Sequence, residues 1–418
     1  MRIVIKQATI ISPSSPFNGK IKDILVVNGN IASIADSITE QADKTIQQEG
    51  LCVSPGWMDI FADFADPGYE HKETIQTGAL AASAGGFTDV MLLPCSKPVN
   101  DNKAQTEYIV QKAKEVAIYI HPIGAITKNT AGKELSEMYD MRHSGAIAFS
   151  DGINPVLDSG LMLKALQYVK SFNGTVIQLP DDTSIGAGGL MNEGIVSTQM
   201  GLPGKPIMAE ELMVARDLKL ARYANSKIHF TGISSPKSLE YIKRSKESGI
   251  NVTCSITPYQ VFFCDEDLQE YDSNLKLNPP VRSRNEMDAI KNALLDGTID
   301  CIASHHLPQH LDNKACEFEY AKPGMISLQT MFAAVNSIGL PVQDFVQMQS
   351  INTRNIFGLP IPKISEGLPA SLTLFNPVTE FILNEEMIQS KSKNTAFMSK
   401  KLKGKVIGII NKSKLHLN

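Results

Sequence analysis

Two hydrophobic patterns succeed one another along the chain and change over at Gly56. Before that glycine, β-branched and apolar residues come in short runs at 3–5, 8–11, 21–27 and 31–34, broken by prolines at 13–16 and by Asn28-Gly29. Asn28-Gly29 predicts a hairpin turn, because both residues tolerate positive φ. The first 52 or so residues are therefore predicted to be strand-rich and free of helix.

After Gly56, short apolar runs, which are typical of buried strands, alternate with segments of helical periodicity. The first strand follows Pro55-Gly56, and Gly85-Gly86 ends the first helix. Eight strands separated by helices predict an α/β fold, a (β/α)8 TIM barrel. An open doubly wound sheet is the competing fold, but nothing marks an edge strand and no Gly-x-Gly-x-x-Gly follows a strand. The predicted strands after the first are 88–93, 118–123, 146–149, 175–178, 227–231, 251–256 and 299–303; the helices are 74–84, 103–116, 133–142, 155–171, 210–224, 236–248, 285–295 and 326–337.

Beyond Pro360-Ile-Pro362 the strand pattern returns at 371–375 and 406–411. A few lone strands at either end cannot bury a face alone, so we expect both chain ends to form one small composite β domain. The predicted boundaries are 1–53 and 364–418 for the β domain and 54–363 for the barrel.

Charge and composition exclude several classes of function. The 418 residues carry 40 basic and 44 acidic side chains in no like-charged block, which argues against a nucleic-acid or polybasic membrane surface. No apolar run approaches the ~20 residues of a membrane span, and the first residues lack the apolar region of a signal peptide. The six cysteines form no Cys-x-x-Cys pair, which favours reduced thiols in a cytoplasmic protein.

Several motifs carry a specific resemblance. The motifs are the segments at 70–78, 84–88, 188–194, 278–282, 296–300, 316–318 and 390–395. In this order along the chain, they resemble the dihydroorotase family of the amidohydrolase superfamily, most closely the long-type dihydroorotases and their non-catalytic homologues. The resemblance implies a barrel of the metal-dependent hydrolase type with a composite β domain.

The resemblance also implies where a catalytic metal and the substrate would bind, and most of those positions are replaced. Histidine ligands are expected at Phe61, Asp63, Leu179 and Gly232, and the aspartate that is ligand and general base is expected at His305. The substrate arginine and asparagine are expected at Ala65 and Cys95, whereas Asn278 is retained; these three form a vestigial pocket. Asp151 remains from the family's Asp-Asp pair, and either acid of that pair matches it.

Zinc in a hydrolase needs about three protein ligands and an open position for water. Phenylalanine, leucine and glycine cannot coordinate a metal, so the replacements predict that catalysis is lost and that no cofactor is bound. The chain is then expected to be a structural or assembly partner in pyrimidine biosynthesis. The resemblance implies aspartate transcarbamoylase as that partner, and we also expect a homo-oligomer.

Two other functions stay open. The first is an active cyclic-amide hydrolase, dihydroorotase or hydantoinase-like, with one Zn²⁺, Mg²⁺ or Mn²⁺ held by Asp63, Asp151 and His305. Against it, these side chains can simply be hydrogen-bonded polar groups. The second is a protein that binds an orotate-like ligand in the vestigial pocket.

Four further candidates have a plain alternative. His306 is either a catalytic acid or a histidine satisfied by a neighbouring carbonyl. Cys95 is either a nucleophile or an inert thiol. Asp181 and Asp182 are either an acid–base pair or two solvated loop residues, and His71 is expected to pack or cap at a helix start.

Overall fold

The computed structural model describes residues 1–418, and both chain ends join one β domain, as expected. The strands of this domain are β1 (Arg2–Ile10), β2 (Ile21–Val27), β3 (Asn30–Ala35), β4 (Lys44–Gln47), β5 (Cys52–Pro55), β16 (Leu372–Ile382), β17 (Lys401–Asn411) and β18 (Lys414–Leu417). They form one sheet in the order β18-β17-β16-β5-β1-β2-β3, with β4 paired to β1. Asn28 and Gly29 have φ of 49° and 81° and turn β2 into β3, the predicted hairpin.

The middle of the chain forms the predicted barrel of eight parallel strands in sequential order. It closes where Ala62 pairs with His306 and where the backbone N–H of Asp63 donates to the His306 carbonyl at 2.9 Å. The strands are β6 (Trp57–Ala62), β7 (Phe87–Leu92), β8 (Tyr119–Gly124), β9 (Ala148–Phe149), β10 (Thr175–Gln178), β13 (Lys227–Phe230), β14 (Val252–Ile256) and β15 (Cys301–Ile302).

Helices cover the outside of the barrel, and their predicted starts were the least accurate feature. The helix predicted at 133–142 begins only at Met138, because a turn at Lys128–Thr130 and a bridge between Thr127 and Leu135 occupy the preceding residues. The helices are α1 (Ile75–Ala84), α2 (Lys103–Lys112), α3 (Met138–His143), α4 (Ser159–Lys170), α5 (Ile195–Met200), α6 (Met208–Ala224), α7 (Pro236–Glu247), α8 (Arg284–Leu295), α9 (Met331–Ser337), α10 (Val342–Val346) and α11 (Thr353–Phe357).

The glycine-rich stretch between β10 and α6 contains structure that the sequence did not predict. Two short strands, β11 (Met191–Asn192) and β12 (Gly204–Lys205), pair in parallel and enclose α5. This subdomain lies on the loop that follows β10, so it stands at the end of the barrel where functional loops gather. No helix of the chain is long and apolar enough to cross a membrane.

Trp57, the only tryptophan, joins the barrel to the β domain. Its ring lies 4.8 Å from Phe345, 5.0 Å from Phe332 and 5.2 Å from Phe375, and Phe375 belongs to β16. Its indole N–H donates to Ser54 Oγ at 2.9 Å, so the polar atom of this buried side chain is satisfied. The two domains therefore share one aromatic core.

Candidate active site at the barrel mouth

The carboxyl ends of the barrel strands meet at one face, the barrel mouth, where TIM-barrel enzymes place their chemistry. Four of the positions singled out in the sequence lie there. Phe61 is near the end of β6, Leu179 follows β10, Gly232 follows β13 and His305 follows β15. All except Gly232 are hydrocarbon or aromatic side chains, and Phe61 and His305 are almost fully buried.

These four residues pack against one another. The His305 ring stacks on Phe61 with centroids 4.3 Å apart and planes inclined by 27°. A Cβ on Gly232 would lie 2.7 Å from Cε1 of His305 and 3.3 Å from Cδ1 of Leu179. The space that ligands at these four positions would surround in the family pattern is therefore filled by an aromatic stack and a leucine.

His305 is held by one hydrogen bond. Its Nε2 lies 2.7 Å from Thr231 Oγ1, which also accepts from Ser255 Oγ at 3.1 Å. Its Nδ1 is buried without a partner. Burial lowers the pKa of His305 to about 3, so the ring is neutral at pH 7.

Asp151 forms its hydrogen bonds with the loop after β8 and not with that stack. One carboxylate oxygen accepts the backbone N–H groups of Ile126 and Thr127, each at 2.8 Å, and the other accepts the Thr127 hydroxyl. Burial nevertheless raises the pKa of Asp151 to about 6. Its visible role is to anchor the loop after β8.

Asp63 is the predicted acid that remains partly exposed. Its Oδ1 accepts the Ala65 N–H at 2.8 Å, and Oδ2 makes no hydrogen bond within the chain. Burial raises its pKa above the ordinary aspartate value, and the nearby charge of Glu73 acts in the same direction. Lys72 and His306 oppose this rise.

The alternative metal set of Asp63, Asp151 and His305 is not assembled. Both carboxylate oxygens of Asp151 accept hydrogen bonds from the loop after β8, and His305 directs Nε2 to Thr231. Nowhere in the chain do three His, Cys, Asp or Glu side chains gather as a metal site. The donors present do not fit the metal that the family pattern implies, and His305 Nδ1 is one orphaned nitrogen where about three ligands are required.

The second and third members of the vestigial pocket are Cys95 and Asn278. Burial raises the pKa of the Cys95 thiol to about 12, which argues against a thiolate nucleophile. Asn278 bridges two charged residues: its Nδ2 donates to Asp181 at 3.1 Å, and its Oδ1 accepts from Lys205 Nζ at 2.7 Å. Lys205 also pairs with Asp181 at 2.5 Å.

This Asp181–Lys205–Asn278 triad lines a cavity of about 410 Å³ beneath the glycine-rich subdomain. Asp181 is buried and ion-paired, whereas Asp182 caps a turn through Ser184, so the two acids do not form an acid–base pair. Lys205 was missed in the sequence, because nothing local distinguishes it from a solvated loop lysine. Only the pairing of β11 with β12 brings it to the mouth.

The sequence singled out His306 but missed its buried ionisable neighbour, Glu73. Glu73 Oε2 lies 3.7 Å from Nε2 of His306. Because His306 Nδ1 accepts the Ser327 N–H at 3.2 Å, the ring proton is on Nε2 and faces Glu73. No neighbouring carbonyl satisfies this histidine, because its Nε2 lacks a hydrogen-bond partner.

Glu73 also fixes the C-terminal segment over the barrel mouth. It accepts the hydroxyls of Thr77 and Ser390 and the Lys391 N–H at 3.1 Å. Burial by itself raises the pKa of Glu73, but the contacts with His306, Ser390 and Thr77 outweigh it and leave the pKa below its ordinary value. The sequence had placed His71 at a helix start, which is wrong: Thr74 caps α1, and His71 lies in the preceding turn.

Known proteins resemble this chain over nearly its whole length. A family model described as "Dihydro-orotase-like" matches residues 50–238. A dihydroorotase from Syntrophus aciditrophicus is 39% identical over 97% of both chains, and one from Geotalea daltonii is 40% identical over 97% of this chain and 96% of its own. Among solved structures, an L-hydantoinase from Arthrobacter aurescens superimposes with a TM-score of 0.87 over 99% of this chain and 95% of its own, at 19% identity, which supports the fold.

These relatives contradict the expectation of a chain that has lost catalysis and acts only as an assembly partner. Proteins named dihydroorotase match it from end to end at 36–40% identity, so the loss of individual ligand positions was the wrong basis for that inference. On this full-length similarity, the chain belongs to the dihydroorotase family.

Proposed function

We propose that this protein is a cyclic amidohydrolase of pyrimidine biosynthesis that opens the C–N bond of a dihydroorotate-type ring. The observation that carries the proposal is the 39% identity over 97% of both chains to a protein named dihydroorotase. The shared barrel supports it, because TIM-barrel enzymes place their active sites at the mouth where Asp63, Asn278 and Lys205 lie.

Because the donor set does not fit a metal, the chemistry is assigned to the chain's own side chains. Opening a cyclic amide consumes one water, and a proton must reach the departing amide nitrogen. Asp63 is suited to carry that proton, because its Oδ2 is free and its raised pKa brings it nearer to neutral pH. Lys205 and Asn278 both bind Asp181, and each keeps one donor N–H for the carboxylate or carbonyl groups of the ring.

The test is a turnover assay on the purified full chain in both directions, with dihydroorotate and with carbamoyl aspartate. Hydantoin serves as a second cyclic substrate. Turnover that disappears in Asp63→Asn but persists in Asp36→Asn, an exposed acid of the β domain, supports the proposal. A well-folded wild-type chain that shows no turnover above buffer with any of these substrates contradicts it.

Association with aspartate transcarbamoylase and homo-oligomerisation stay predictions. Size-exclusion chromatography of the chain alone and mixed with that enzyme checks both. Co-elution supports the partner, and separate elution at micromolar concentrations contradicts it.

A further inference from the structure

A second cavity at the barrel mouth has basic walls. It has a volume of about 520 Å³ and includes Lys314, Lys391, Lys393, His71, His310 and Asn274 in its lining. We name it the lysine cleft. Its residues come from the loops after β6, β14 and β15 and from the segment between β16 and β17, so tertiary structure alone assembles it.

None of the three lysines has a carboxylate partner. Lys314 Nζ donates to the Ser273 carbonyl at 2.8 Å, Lys391 Nζ to the Glu70 carbonyl and Lys393 Nζ to the Ile388 carbonyl, both at 2.6 Å. An ammonium group has three donors, so each lysine keeps donors for a ligand. The carbonyls fix the positions of the three nitrogens without neutralising their charge.

The surrounding acids do not balance this charge. Glu385 is the one acidic residue in the lining. Asp312 is strongly exposed and lies 3.2 Å from His310. Lys391, Lys393 and the protonated fraction of Lys314 outweigh the one glutamate, so the cleft is positive at neutral pH. The side-chain amide of Asn274 adds a neutral hydrogen-bonding group.

Lys314 is the most constrained of the three. It is 6% exposed, whereas charged side chains that are this buried are normally paired. Burial lowers its pKa to about 7, and Lys276 acts in the same direction, while Asp272 and Cys316 oppose the shift. A bound anion would restore the missing counter-charge.

We propose that the lysine cleft binds a small organic or inorganic anion with at least two negative charges, a dicarboxylate or a phosphate. The volume suits a small molecule, and the fixed ammonium groups suit oxyanions, whose hydrogen bonds to charged donors are the strong ones. The proposal does not rest on the hydrolase function, because it concerns binding alone.

Isothermal titration calorimetry on the full chain tests it, with inorganic phosphate and with succinate as separate probes. Binding of either probe supports the proposal, and the tighter one identifies the chemical source. The Lys391→Ala/Lys393→Ala double variant removes two exposed side chains and should weaken binding by about tenfold or more. Lys314→Met should weaken it by a similar factor.

Lys412 offers a matched control at the opposite end of the barrel. It is also partly buried and donates only to backbone carbonyls, those of Ala113, Val116 and Ile118. Lys412→Met should bind the probe as the wild type does. Binding of succinate, which is mainly a dianion throughout this range, should also weaken between pH 6 and pH 8.5, because Lys314 loses its proton in that interval. If neither probe binds, or if the double variant binds as tightly as Lys412→Met, the proposal is wrong.

Discussion

The His305 ring lies face to face with Phe61, 4.3 Å away, at the place where strands β6 and β15 close the barrel. Stacked rings at this distance exclude water and leave no room for an ion between them. The stack connects the first and last strands of the barrel through side chains, in addition to the backbone bridge between Ala62 and His306.

The first prediction concerns metal. Because the stack occupies the mouth and the donors do not converge, equimolar Zn²⁺ should leave the Tm unchanged, and dialysis against a chelator should leave both Tm and turnover unchanged. Differential scanning fluorimetry and elemental analysis check this. Stoichiometric zinc that survives gel filtration, with turnover lost on chelation, would contradict it.

The second prediction concerns Gly232, which has φ of 70° and where an added Cβ would lie 2.7 Å from Cε1 of His305. Gly232→Ala should lower the free energy of unfolding by about 2–4 kcal/mol, because it places an alanine in the left-handed backbone region and creates a clash with a buried ring. Gly249→Ala is the matched control, because Gly249 has φ of 78° and an added Cβ would meet no atom within 4 Å. Chemical denaturation measures both variants, and equal losses would show that the clash with His305 contributes nothing.

The third prediction concerns proton transfer by Asp63. Asp63→Asn should lower kcat by roughly 10²- to 10⁴-fold, because a side chain that transfers a proton acts mainly in the transition state. KM should change much less. Steady-state kinetics decides the matter, and a variant with raised KM and unchanged kcat would assign Asp63 to substrate binding.

The fourth prediction concerns the hydrogen bonds by which Glu73 holds the C-terminal segment at Ser390 and Lys391. Glu73→Gln removes a buried charge that accepts from Ser390 and Lys391, and it should cost about 1.5–3 kcal/mol of stability. Proteolysis near residue 391 should accelerate with it. Glu70→Gln, at an exposed neighbour, should leave stability unchanged.

The fifth prediction concerns the pH dependence of stability through Asp217. Burial raises its pKa to about 7 despite the Arg216 ion pair, and its Oδ2 has no partner. Between pH 4 and pH 7 the unfolded state has released this proton and the folded state has not, so stability falls with rising pH. Above pH 7 both states are ionised and the effect is constant.

Asp217→Asn removes that titration. The free energy of unfolding of the variant, relative to that of the wild type, should increase between pH 4 and pH 7 by up to about 1.4 kcal/mol per pH unit. The difference should level off above about pH 7.5. Urea denaturation at five pH values measures it. A difference that does not depend on pH would show that Asp217 ionises normally in the folded chain.

The sequence by itself determined the barrel and the composite β domain. Strand periodicity is local: β10 was predicted at its observed bounds, and the turn at Asn28-Gly29 follows from backbone preferences of two residues. Helix starts were less certain, as at Met138, because a turn in the loop competes with the helix for the same residues. The local pattern therefore predicted the type and order of the strands and helices more accurately than their first and last residues.

Tertiary structure decided what the mouth contains. Residue identity alone left Asp63, Asp151 and His305 as three donors on converging strand ends, but hydrogen bonds to the backbone at 126–127 and to Thr231 turn two of them away. The lysine cleft likewise joins side chains from distant parts of the chain. Which polar atoms share a site depends on packing between strands and loops far apart in sequence, and no local periodicity encodes it.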